Sequence, residues 1–105
     1  MGKQITPSEA SALCDNFDEK YTKLSDLIGK KDSRSAGFSI QEIKDYLAYL
    51  ETNNKNVDGI RIFLGSNKDT NYTTVFFAPT ENGSVEKNLN CFNFGTKDNP
   101  PGKKY

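Results

Sequence analysis

Histidine and tryptophan are absent from this 105-residue chain, methionine occurs once and cysteine twice. Without histidine the commonest zinc ligand and the commonest general base are both missing. Cys14 and Cys91 lie far apart, with no neighbour at the spacing of a zinc site or a redox dithiol. No metal and no cofactor is therefore expected, and a thiolate activated by an adjacent imidazole is excluded. Two small buried thiols are expected in place of a Cys14–Cys91 disulfide. No apolar run approaches the length of a membrane span, and the start Met1-Gly2-Lys3-Gln4-Ile5-Thr6 carries no secretory pattern. A cytoplasmic protein with no membrane partner is the expectation. An excess of one charge is missing too: 14 basic residues face 14 acidic ones, eight against nine before Asn56 and six against five after it. A chain that neutralises several phosphates usually shows a basic face, so the balance disfavours a nucleic-acid partner.

What is present suits one small domain spanning 1–105, with an ordered core over about 5–95 and a tail over 96–105. Thr6-Pro7-Ser8-Glu9 opens a helix: Thr6 caps, Pro7 takes the first helical position and Glu9 completes a capping box. Ala10, Leu13, Cys14, Phe17, Tyr21, Leu24, Leu27 and Ile28 then recur at three- and four-residue spacing, and Gly29 stops the helix. The small polar segment from Gly29 to Gly37 reads as a mobile loop. Ser39 and Glu42 form a second capping box, and Ile40, Ile43, Tyr46, Leu47 and Leu50 form the stripe of a second helix. The spacing predicts helices over 7–28 and 40–52.

After Asn56 the apolar period falls from about 3.6 to 2, the mark of a change from helix to strand. Gly59-Ile60-Arg61-Ile62-Phe63-Leu64-Gly65 reads as a first strand and Tyr72-Thr73-Thr74-Val75-Phe76-Phe77-Ala78 as a second. Asn82-Gly83 suits the left-handed residues of a tight hairpin, and a third strand is expected within Val85 to Phe94, centred on Asn90-Cys91-Phe92-Asn93-Phe94. The fold class is thus α+β, an N-terminal helical hairpin packed on a C-terminal three-stranded antiparallel meander with the second strand central. Alternation puts Ile60, Ile62, Leu64, Val75 and Phe77 under the helices and Arg61, Phe63 and Phe76 on the far face.

That far face carries the candidate interaction surface. Arg61, in an otherwise apolar strand, needs a carboxylate, a carbonyl or a partner. It either makes a rim contact with its stem on Phe63 or Phe76, or anchors a protein interface together with them. The occupant would be a second copy of the chain or another protein. Lys30, Lys31 and Arg34 form a weak basic cluster that fits ordinary solvation and, less specifically, a phosphate. Asp32-Ser33-Arg34-Ser35-Ala36-Gly37 superficially follows a calcium loop, but Arg34 and Ala36 stand where oxygen ligands belong. The acids Glu42, Asp45, Glu51, Asp58 and Asp69 show no pairing, so no catalytic residue is assigned. A non-catalytic interaction or assembly module is the leading expectation. A small enzyme or ligand-binding domain, with a pocket between helices and sheet, is the alternative.

The strand Gly59-Ile60-Arg61-Ile62-Phe63-Leu64-Gly65, preceded by two helices and followed by Thr74-Val75-Phe76-Phe77 and Glu81-Asn82-Gly83, resembles a group of small bacterial proteins. Their shared feature is a Gly-Ile-Arg-Ile-aromatic-x-Gly strand. Members often end in a segment containing cysteine and proline, whereas Asn99-Pro100-Pro101 here has no cysteine. The resemblance implies the helix-then-sheet order and carries no activity with it.

Overall fold

The structure is a computed structural model and describes residues 2–93, 102, 104 and 105. Helix α1 spans Pro7–Ile28 and α2 spans Ile40–Asn53. Both open on complete capping boxes. Thr6 and Ser39 accept from the backbone N–H of Glu9 and Glu42, whose carboxylates accept in turn from the cap N–H groups. Gly29 ends α1 with φ 72° and ψ 18°, the left-handed geometry glycine adopts without strain.

Three antiparallel strands follow in the order β1-β2-β3: β1 Gly59–Ser66, β2 Thr73–Glu81 and β3 Ser84–Val85. The expected α+β meander with a central second strand is the observed one. β2 runs three residues beyond its expected end, through Pro79. Proline is tolerated there because its missing donor faces the two-residue β3, where its carbonyl still accepts from Glu86 N–H at 2.9 Å. Asn82 (φ 51°) and Gly83 (φ 81°) make the expected tight turn. The third strand meets the expected range only at its edge, in Val85. It is the short Ser84–Val85 pair beside the turn, and the Asn90–Phe94 segment contributes a single bridge, Phe92 to Phe77. Phe94 and most of the expected tail lie outside the described residues.

Packing divides into two regions. In the first, Tyr46 and Leu50 of α2 close over Phe77 of β2, with Phe38, Ile43, Tyr49, Val57, Leu89 and Phe92 around them. The Tyr46 hydroxyl donates to the Asn90 carbonyl at 2.8 Å, tying the helix to the segment beside β2. A helix about 10–12 Å across covers about two strands spaced 4.8 Å apart. α2 spends that width on β2 and the Leu89–Phe92 segment.

The second region is built around α1, whose Tyr21 turns to the loop after it, while Leu13, Phe17 and Leu27 of the same stripe stay exposed. Tyr21 donates to the Asp32 carbonyl at 2.9 Å, and Arg34 lies 3.8 Å over the Tyr21 ring. The Asp32 carboxylate, 2% exposed, accepts from Ser33 N–H (2.8 Å), Thr73 N–H (2.7 Å) and Thr73 Oγ1 (2.6 Å). The segment read from its composition as a mobile loop is thus pinned to the first residue of β2, because a buried carboxylate must find donors. Lys104 reaches Asp15 at 2.7 Å and Asp18 at 2.9 Å, so the described end of the chain is fastened to α1. α1 and α2 share no extended seam; the extended contacts between elements are those of the strand ladder.

Candidate interaction surface

The site is built by β1 and begins with its register. Ile60 lies opposite Pro79, Ile62 opposite Phe77 and Leu64 opposite Val75, so these six side chains share one face. Phe77 points into the core beneath α2, yet Ile60 is 41% exposed, Ile62 61% and Leu64 77%. The expectation that Ile60, Ile62 and Leu64 lie covered by the helices is corrected here. They occupy the helix-side face but stand one strand beyond the reach of α2.

Backbone geometry adds to this. Phe77 exchanges both main-chain hydrogen bonds with Phe92, at 2.9 and 3.0 Å, so its polar groups point away from β1. An antiparallel ladder alternates, which leaves Phe76, Ala78 and Thr80 bonded toward β1 through Phe63, Arg61 and Gly59. The N–H and C=O groups of Ile60, Ile62 and Leu64 consequently point to the outer edge of β1. Among the described residues no strand pairs with that edge. One row of three residues therefore offers exposed aliphatic side chains and open backbone donors and acceptors together.

The three surface residues expected from sequence lie on the opposite face. Phe63 and Phe76 are cross-strand partners with rings stacked at 5.3 Å, both half-buried. Arg61 is exposed and donates from Nη2 to the Gly83 carbonyl at 3.4 Å. Beside it Ala78 and Thr80 are buried, so this face is the better covered of the two. The basic residues do not converge on a common point. Lys30 sits 4.3 Å over the Tyr72 ring, Lys31 is exposed, and the Arg34 side chain, 9% exposed, pairs with Asp18 at 2.9 Å.

Between α2 and the 90–92 segment lies an open cleft of about 440 Å³ whose walls include Glu42, Asp45, Tyr46, Tyr49 and Phe92. Its phenols are occupied: Tyr46 donates to Asn90 O, and Tyr49 accepts from Asn90 N–H at 2.9 Å. Burial, with Cys91 and Tyr49 nearby, pushes the Tyr46 hydroxyl up to about 12, far from acid–base use at neutral pH. Cys91 is exposed and Cys14 half-buried, both as free thiols. The expectation of two buried thiols fails at Cys91, since the neighbouring Phe92 turns into the core and alternation turns Cys91 out.

Sequence reasoning assigned Ile60, Ile62 and Leu64 to the core and so missed them as surface. A usable signal was present in the width of α2, since one 14-residue helix cannot roof three strands. No family model, no curated protein and no solved structure matches this chain. Among the described residues no helix is long and apolar enough to cross a membrane.

Proposed function

We propose that this chain is a non-catalytic protein-interaction module that docks a partner along the outer edge and exposed face of β1. The observation that carries the reading is the exposure of Ile60, Ile62 and Leu64 on the strand whose backbone is open on that side. Natural sheets blunt such edges with lysine, proline or a bulge. β1 has none of the first two, and its register with β2 is continuous from Gly59 to Ser66. Unpaired strand edges take partners by strand addition: the backbone supplies affinity and alternate side chains supply specificity. Arg61, Phe63 and Phe76 form the second face of the same ribbon and contribute contacts from behind.

Catalysis is disfavoured by the chemistry of the cleft beside α2, where both phenols serve backbone groups. A bacterial cytoplasmic setting belongs to the same proposal, resting on the resemblance and on the two free thiols. The test is unfolding of Ile62→Lys and Leu64→Lys across a range of protein concentrations. Residues kept for docking can be charged with a change within about 0.5 kcal/mol in the dilute chain. A loss of several kcal/mol at every concentration would put them in the folding core and overturn the reading.

A further inference from the structure

We infer that the partner of β1 is β1 of a second copy, paired antiparallel about a two-fold axis at Ile62; this rests on the docking role assigned to that edge. Self-pairing is a matter of register, and β1 matches itself best in one register. With Ile62 facing Ile62 of the second copy, Ile60 faces Leu64 and Leu64 faces Ile60, so every exposed aliphatic residue meets another. Those three residues are also the ones whose N–H and C=O groups point outward, so this alignment closes hydrogen-bonded pairs at all three positions. On the other face Arg61 comes opposite Phe63 of the second copy, a cation over an aromatic ring.

The neighbouring symmetric registers fit less well. An axis at Arg61 sets two guanidinium groups directly opposite each other, which is repulsive. An axis at Phe63 sets Ile60 against Ser66 and wastes part of the aliphatic row. A symmetric pair also needs no outside complementarity, since the same patch serves both sides.

The chain exposes 8102 Å², whereas a compact monomer of 11.7 kDa exposes roughly 5,900 Å². The excess, about 2,200 Å², is spread over the molecule, with Leu13, Leu27 and Ile40 of the helices exposed as well, and the Ile60, Ile62 and Leu64 row is the part of it that lies on an open strand edge.

The experiment is sedimentation equilibrium on the full chain and on charged variants, alone and mixed. The wild-type chain is expected at twice 11.7 kDa. Ile62→Lys and Ile62→Glu are each expected as monomers, with dissociation constants raised at least tenfold. Mixed together, the two should re-form a dimer, because the new charges face each other across the axis; Ile62→Lys mixed with Leu64→Glu should not. Dimerisation in the second mixture and not the first would overturn the Ile62 register. A monomeric wild-type chain whose stability Ile62→Lys leaves unchanged would overturn self-pairing and leave the edge to a different protein. A monomeric wild-type chain that Ile62→Lys destabilises equally at every concentration would overturn the docking role as well.

Discussion

β1 and β2 are neighbouring strands of similar apolar content with opposite fates. Phe77, Ala78, Pro79 and Thr80 of β2 are buried, while Ile60, Ile62 and Leu64 of β1 are the exposed large hydrophobics of the sheet. Composition does not separate them; position relative to α2 does. On the helix-side face burial is set by how far α2 reaches: Phe77 and Pro79 are covered, whereas Ile60, Ile62 and Leu64 beyond its reach stay exposed; Ala78 and Thr80 are buried on the opposite face.

The largest effects should fall on the β2 side. Phe77→Ala removes a ring held between α2 and Phe92 and is expected to cost about 3–5 kcal/mol in denaturant unfolding. Ile62→Ala, measured at a dilution where the chain is monomeric, should stay within about 0.5 kcal/mol. Equal losses would erase the distinction between the strands. Next comes Asp32→Ala, which strips the Thr73 N–H and hydroxyl of their acceptor at the start of β2. A loss of about 1.5–3 kcal/mol is expected, and no loss would mean that the loop is not held there.

Tyr46→Phe sharpens the comparison at the α2 seam. Removing the hydroxyl that binds Asn90 should cost about 1 kcal/mol at neutral pH. The folded-state value of about 12 lies above the ordinary 10, so the stability linked to this phenol is fully present below pH 10 and lost as pH rises toward 12. The wild-type chain should weaken more than Tyr46→Phe over that interval, and parallel curves would place the phenol in water. The smallest effect belongs to the exposed contact at the chain's end. The Lys104 ammonium, with Arg34 beside it, holds the Asp18 carboxyl below its ordinary 3.8. That contribution is present above pH 3.8 and fades as pH falls through the folded value. Lys104→Met should return the Asp18 titration, followed by carboxyl chemical shift, toward the ordinary value.

Much of this organisation was legible in the residues. Thr6, Pro7, Glu9 and Gly29 marked α1, Ser39 and Glu42 marked the start of α2, and Asn82-Gly83 marked the hairpin, because caps and turns are local chemistry. Two things were not legible. The role of Asp32 depends on Thr73, 41 residues away, and nothing near Asp32 announces a buried acceptor. Which face of β1 is covered depends on where α2 lies across the sheet. The alternation of Ile60, Arg61, Ile62, Phe63 and Leu64 is plain in the sequence, but a period of two states only that the faces differ. The candidate surface was accordingly placed on Arg61, Phe63 and Phe76, one face away from the row that is most exposed.

The most direct measurement is amide hydrogen exchange along β1 as a function of protein concentration. In the dilute chain Arg61 and Phe63, bonded to β2, should be protected, and Ile60, Ile62 and Leu64 should exchange at nearly the rate of open chain. As concentration rises, protection should appear at Ile60, Ile62 and Leu64 together, converting an alternating pattern into a continuous one. An alternating pattern that persists at every concentration would contradict pairing of the edge with a second copy. Protection of all five amides even in the dilute chain would contradict the open edge itself.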